Sequence, residues 1–214
     1  RHTSTEQVEL ITDPKEKASR EAENGLLQAQ LAIDIIKSFV KDPERPFKLR
    51  QGLLMQRHAV ALKGIHLLAG TFRNGPAKIH GSNHEPPEAF RVADEVADMC
   101  EYVNDHWKDS SALHLGAYVL WKLNWIHPFA DGNGRTARAL SYVVLSIKLD
   151  GLLPGNDTIP DQIAANKTPY YDALEKADEA WKKHGKVDVS EVEKLLAAKL
   201  ATQLVEAANQ AERV

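Results

Sequence analysis

Residues 127–138 read HPFADGNGRTAR and bring a histidine, a carboxylate, a Gly-Asn-Gly turn and two arginines into one short stretch. All of these types serve phosphate chemistry. His127 titrates near neutral pH and can take a proton from an attacking hydroxyl. Asp131 offers the hard oxygen ligands that Mg2+ accepts alongside substrate phosphates. Gly132 and Gly134 let the backbone approach a ligand with no Cβ in the way, while Asn133 suits such a turn and can add a side-chain donor. Arg135 and Arg138 are three apart, hence on one helical face, and can reach the same polyphosphate. A helix opening here would add unpaired N–H groups and its dipole to the anion site. Taken singly, each residue fits a plain corner between two helices, with Phe129 as its apolar anchor. It is their convergence that points to phosphate.

Positioning such a segment requires a rigid scaffold, and the hydrophobic periodicity supplies a helical one. Asp13-Pro14 reads as an N-cap with proline at the first helical position, followed by an apolar stripe at Ala22, Leu26, Ala29, Ile33, Ile36 and Val40. Gly25 interrupts this helix at a cost of roughly 1 kcal/mol relative to alanine, which hints that something approaches the backbone there. Asp42-Pro43 and Arg45-Pro46 end it, and residues 1–12 read as a frayed lead-in. A second helical run covers about 48–69, within which His58 and His66 read as ordinary core or surface residues. Residues 71–87 lose the helical period and hold Asn74-Gly75, a hairpin signal shortened by Pro76. A helix follows through Val92, Val96, Met99 and Val103. Another, capped by Ser110 or Ser111, is apolar on more than one face and must stop at His127-Pro128. Beyond Gly134 comes a further helix, then a loop from Gly151 to Pro160, then helices near 168–184 and 189–209. The expected fold is all-α with one small β-hairpin flap.

Composition narrows the function classes. With 214 residues, 43% hydrophobic and 27% charged, the chain can bury a real core as one domain. A net charge of -3 argues against a nucleic-acid binder. Cys100 stands alone, which excludes an internal disulfide framework and suits a reducing, cytoplasmic setting. No apolar run has transmembrane length, no secretory signal is evident, and the chain starts at Arg1 as a trimmed chain or fragment would.

The segment HPFADGNGRTAR resembles the signature of the Fic family, His-Pro-Phe-x-Asp/Glu-Gly-Asn-Gly-Arg-x-x-Arg, at every position. The resemblance extends to Gly70-x-x-Arg73 through Ile79-x-Gly81, to His84-x-Pro86-Pro87, and to Tyr170-Tyr171-x-x-Leu174. It implies a helical Fic core with a hairpin flap, with residues 1–45 as lead-in and inhibitory helix and 46–214 as the core of one compact domain. The activity implied is transfer of AMP from ATP to a Tyr, Thr or Ser hydroxyl of a target protein. In it His127 would be the general base and Asp131 would hold Mg2+. Gly132, Asn133 and Gly134 would cradle the phosphates, and Arg135 and Arg138 would hold those further out. The flap, with Arg73, Ile79, Gly81 and Ser82, would align the target segment by strand-like pairing. Tyr171, Leu174 and Asp178 would lie on the nucleotide side, Asp178 standing where relatives often have an asparagine near adenine. Relatives that phosphorylate carry lysine where this chain has Gly134, so it has the adenylylating form. Self-modification and a homo-oligomer are compatible with this reading, which includes neither membrane nor nucleic acid as a partner.

The family's inhibitory pattern, Ser/Thr-x-x-x-Glu-Gly/Asn, is matched upstream by Ser19, Glu23 and Asn24. The resemblance implies that Glu23 pairs with Arg138 and turns bound nucleotide away from in-line attack. Two other readings share the segment. One is the reverse reaction, hydrolysis of AMP from a modified protein. The other is an interaction module that binds nucleotide without catalysis. A metal hydrolase is weaker, since His127, His106 and His114 form no recognised ligand set.

Overall fold

In the computed structural model, which describes residues 9–42 and 46–213, helices dominate the chain. They are α1 (Pro14–Val40), α2 (Gln51–Ala61), α3 (Val92–Asp105), α4 (Ala112–Ile126), α5 (Asn133–Lys148), α6 (Ile159–Ala165), α7 (Thr168–His184) and α8 (Ser190–Ala211), with a single 3-10 turn at Ala89–Arg91 before α3. None of the described helices is long and apolar enough to cross a membrane.

The organising element is α4. Ser111 caps it by accepting from the His114 N–H, and nearly every residue from Leu115 to Ile126 is buried. It packs against α3, α5, α7 and α8, so the all-round apolar pattern reflects neighbours on every side. Lys122 is the exception, and its charge is matched locally. Its ammonium lies 2.9 Å from a Glu95 carboxylate oxygen and 3.8 Å from the centre of the Trp125 ring. Helix α1 packs across α2 and α5. Its start is as expected, with Asp13 Oδ1 accepting from the Glu16 N–H at 2.8 Å and Pro14 in the first turn. Burial pushes the Cys100 thiol up to about 12, so it stays protonated and inert.

Several expectations are corrected. The lead-in is docked where it is described: the Leu10 N–H reaches Ile65 O at 2.8 Å, Glu9 bridges to His66, and Ile11 is buried. Residues 1–8 of that lead-in, and the breakers Pro43 and Arg45, lie outside the described residues. The run expected over 48–69 is helical only from Gln51 to Ala61 and then winds through turns, with Gly64 in a left-handed conformation (φ 72) and the Gly70 N–H taken by His58 Nδ1. Helix α6 was not expected: it starts on the last two residues of the expected loop and runs on to Ala165; with seven residues it is too short to show a period, and its first N–H is held by Gln203 Oε1 from α8. Helix α5 begins at Asn133, one residue earlier than Gly134.

Among the described residues the flap forms no strand and carries only an isolated bridge position at Ile79. Pro76, Pro86 and Pro87 lack N–H donors, so a ladder cannot run through it. Arg73 holds it instead. The guanidinium, only 3% exposed, donates to the carbonyls of His127 (2.8 Å), Gly75 (2.8 Å), Pro87 (2.5 Å) and Ile126 (3.4 Å). Its backbone N–H takes Pro128 O at 2.8 Å. This arginine was expected to face a target and is a structural clamp. Truncation by Arg73→Ala should cost about 3 kcal/mol, because several buried carbonyls lose a charged donor. Urea unfolding followed by circular dichroism measures it, and a change within experimental error would refute the clamp.

Candidate phosphate-binding active site

The signature segment joins the buried end of α4 to the start of α5. At that join His127 adopts a left-handed conformation (φ 51, ψ 56) while its N–H still returns to Leu123 O at 3.0 Å. The residue is 1% exposed, and Nδ1 lies 3.2 Å from the Asn124 carbonyl. A carbonyl can only accept, so the ring proton sits on Nδ1 and Nε2 is the basic nitrogen. His127 lines a cavity of about 300 Å3 together with Asp131, Arg135, Arg138, Tyr171 and the Gly132–Gly134 turn.

Asp131 has both oxygens engaged. Oδ1 accepts from the Gly132 N–H at 2.6 Å and Oδ2 from Arg135 at 3.0 Å. Burial alone would raise its pKa, but the Arg135 charge and the Gly132 N–H outweigh it and hold the carboxyl below its usual range. Asp131 is therefore an anion at neutral pH. This donor set fits Mg2+, which is content with one carboxylate completed by water and substrate phosphates. Among the described residues no group of three or more His, Cys, Asp or Glu could form a metal cage of its own.

Gly132 is the N-cap of α5 with φ 74, a left-handed conformation that favours glycine, and the space beside it is tight. An added Cβ would sit 2.6 Å from Leu62 Cδ2 and 3.4 Å from the His58 ring. Asn133 was expected to add a ligand donor, but its amide closes the loop, donating to Phe129 O at 2.8 Å and accepting from Phe129 N at 2.9 Å. Phe129 is fully buried, the anchor expected of it.

His58 is the positioning residue that sequence reasoning passed over. Its Nδ1 accepts from the Gly70 N–H at 2.8 Å, so its proton is on Nε2, which donates to Asp131 O at 2.9 Å. The ring stacks on Phe129 at 3.7 Å between centroids, 5° from parallel. Burial lowers its pKa to about 4 and keeps it neutral. Lone histidines in a helical run carry no signal for such a role. Glu21, Lys17 and Lys167 also line the cavity and were missed; α1 and the start of α7 deliver them from far along the chain.

The inhibitory pattern is placed differently from expectation. Glu23 is 60% exposed on its side chain and pairs with Arg20 at 3.4 Å, not with Arg138. Glu21 enters the cavity instead, 2.9 Å from Arg135 Nη1. The helical period is the cause, since two residues turn the chain by about 200°. Ser19 is exposed, and Asn24 is buried, tying α1 to Ala61 O (3.2 Å) and Lys63 O (2.8 Å).

The flap and nucleotide-side residues do not form one site. Ile79 and Leu174 are buried in the interior and Gly81 makes a left-handed turn, while Tyr171 reaches the phosphate cavity. Ser82 and Asp178 line a neighbouring depression with Trp125, where Asp178 Oδ1 accepts from Trp121 Nε1 at 2.8 Å. His106 and His114 lie elsewhere, bound to Tyr102 and Glu193.

An all-helical domain with a basic, anion-ready turn at a helix N-terminus defines the class of this protein. Comparison with known proteins adds a match over part of the chain. Residues 47–145 match the model described as the Fic/DOC family, and the chain carries a Fic/DOC domain. A protein adenylyltransferase Fic from Nematostella vectensis is 35% identical over 99 residues, covering 43% of this chain and 22% of the relative. The chain thus spans under a quarter of the length of the curated relatives it matches. A Fic domain-containing signalling protein from Bacteroides thetaiotaomicron superposes with a TM-score of 0.70 at 18% identity, covering 90% of this chain and 74% of that one. The BepC protein of Bartonella tribocorum, solved with bound AMPPNP, superposes with a TM-score of 0.57 at 15% identity, covering 88% of each chain.

Two outcomes are expected. Gly132→Ala combines a left-handed alanine with a 2.6 Å clash and should destabilise the protein by about 2 kcal/mol, measured by denaturant unfolding. His58 links stability to pH. Its folded pKa of about 4 lies below the unfolded 6.5, so its contribution is complete above pH 6.5 and is lost as pH falls toward 4. The loss amounts to about 3 kcal/mol over that window. Urea midpoints recorded from pH 7 to 4 should show it, and a His58→Asn variant should lack that component; parallel curves would reject it.

Proposed function

We propose that this domain transfers AMP from ATP to a Tyr, Thr or Ser hydroxyl of a protein and releases diphosphate. The observation that carries the reading is one cavity shared by His127 Nε2, the ionised Asp131, two arginines and the N-terminus of a helix. Nε2 takes the hydroxyl proton, and the oxygen forms its bond to the α-phosphorus. The bond from that phosphorus to the bridging oxygen then breaks, and diphosphate carries away the electron pair. Arg135 and Arg138 hold the outer phosphates, while the N–H groups at the start of α5 meet the charge on the attacked phosphoryl group. Mg2+, held by Asp131 when bound, would neutralise charge between the phosphates. The Nematostella relative, a protein adenylyltransferase, and the AMPPNP in the Bartonella structure support nucleotide transfer here, as does Gly134 where phosphorylating relatives carry lysine.

The same geometry supports a brake built into α1. Glu21 occupies Arg135 and puts a carboxylate where phosphates would sit. A carboxylate so placed could also orient water for the reverse reaction, release of AMP from a modified protein. Incubation with α-labelled ATP and Mg2+ should label the protein itself or a target, and His127→Ala should abolish the label. Glu21→Ala should raise labelling about tenfold, the effect of removing one competing charged hydrogen bond, whereas Glu23→Ala should leave it near the starting level. The opposite ranking would return the brake to Glu23.

A further inference from the structure

A second cavity lies behind the phosphate site, between α1, α5, α6 and the loop at 152–158. It holds about 330 Å3, at the lower end of small-molecule pockets. Its body is apolar, lined by Ala32, Ile33, Ala139, Leu152 and Pro160. Gly25 faces it from α1, and nothing lies within 4 Å of where a Cβ there would be. The glycine that interrupts the helical stripe thus opens onto space.

The wall toward the motif is cationic. Arg57, Arg135 and Arg138 all contribute to it. Arg57 is unusual among them, being 1% exposed. Its Nη1 donates to Gln28 O at 3.0 Å, but its buried Nε has no hydrogen-bond partner. Among the described residues no carboxylate forms an ion pair with it, and burial alone lowers its pKa, to about 10, with no neighbouring charge opposing the fall. Asp161, the acid at the far side of the cavity, is engaged by the Thr158 hydroxyl at 2.5 Å. A buried guanidinium with no counter-ion among the described residues carries a desolvation cost that the one hydrogen bond to Gln28 O offsets only in part. An anion placed against it would recover that cost, and the rest of the cavity would take only an apolar body.

We propose that this cavity is a second ligand site, taking a small carboxylate with an apolar tail whose charged end meets Arg57 and Arg138. The ligand would touch both the α1 wall and the arginine that the phosphate site shares. The proposal does not rest on the transferase reading, because its readout is binding in the absence of ATP.

Isothermal titration with decanoate tests it, with decan-1-ol and acetate as the two half-ligands. Decanoate should bind saturably, and each half-ligand should bind at least about tenfold more weakly. Arg57→Met should weaken decanoate by about tenfold or more through the charge, and Ala139→Phe by a similar factor through lost volume. Circular dichroism checks that each variant is folded; if Arg57→Met is not, the Ala139→Phe arm decides. No saturable binding of decanoate, equal binding of decan-1-ol, or unchanged binding to Ala139→Phe or to folded Arg57→Met overturns the proposal.

Discussion

The last carbonyls of a buried helix must find donors, and in this protein Arg73 provides them together with His84, whose Nε2 meets Trp125 O at 2.7 Å. Helix α4 ends deep in the core, where water cannot serve its orphan groups. One guanidinium reaches Ile126 O and His127 O, and the same residue's backbone takes Pro128 O. The left-handed turn at His127 can therefore exist without unsatisfied carbonyls around it. That turn sends the chain straight into the Asp131–Gly134 cradle, so the position of the basic nitrogen follows from a structural arginine in the flap.

A parallel device fixes the other side of the cradle. His58 fills both ring nitrogens, one from the Gly70 N–H and one to Asp131 O, and lays its face on Phe129. The Asn133 amide closes the same loop from within. The six residues of irregular backbone between α4 and α5 are thus held by three side chains that never need to touch a substrate. What remains exposed to the cavity is charge: an ionised carboxylate, Arg135 and the N-terminus of α5. Positive charge gathered in one cavity needs company, and Glu21 supplies it to Arg135.

The legible parts of this site were those written locally. The Asp13 cap, the burial of α4, the stop at His127-Pro128 and the glycine turn all follow from neighbouring residues, as do the bounds of α7. The misplaced parts were those fixed by long-range partners. Arg73 reads as a flap cation until the carbonyls of α4, some fifty positions away, are seen to need it. His58 reads as filler until Asp131 O is placed beside it. Asn74-Gly75 suggests a hairpin, yet three prolines and one guanidinium impose a loop. Short α6 shows no period and is fixed by partners on distant α8, Gln203 Oε1 and Lys199 O.

Helix α1 shows most clearly why a short pattern and a helical face must be read together. Lys17, Glu21, Asn24 and Gln28 form one stripe at spacings of four, three and four, and all of them face the body of the protein. Ser19 and Glu23 lie on the other side. Asn24 fixes the rotation by donating to two carbonyls at the end of α2, and Gln28 exchanges hydrogen bonds with the backbone and guanidinium of Arg57. Turning Glu23 toward Arg138 would require α1 to roll by about 200°, breaking all four bonds and burying Glu23 in place of Asn24. The helix is locked in register by its amides, so the carboxylate that reaches the candidate site is Glu21, on the amide face.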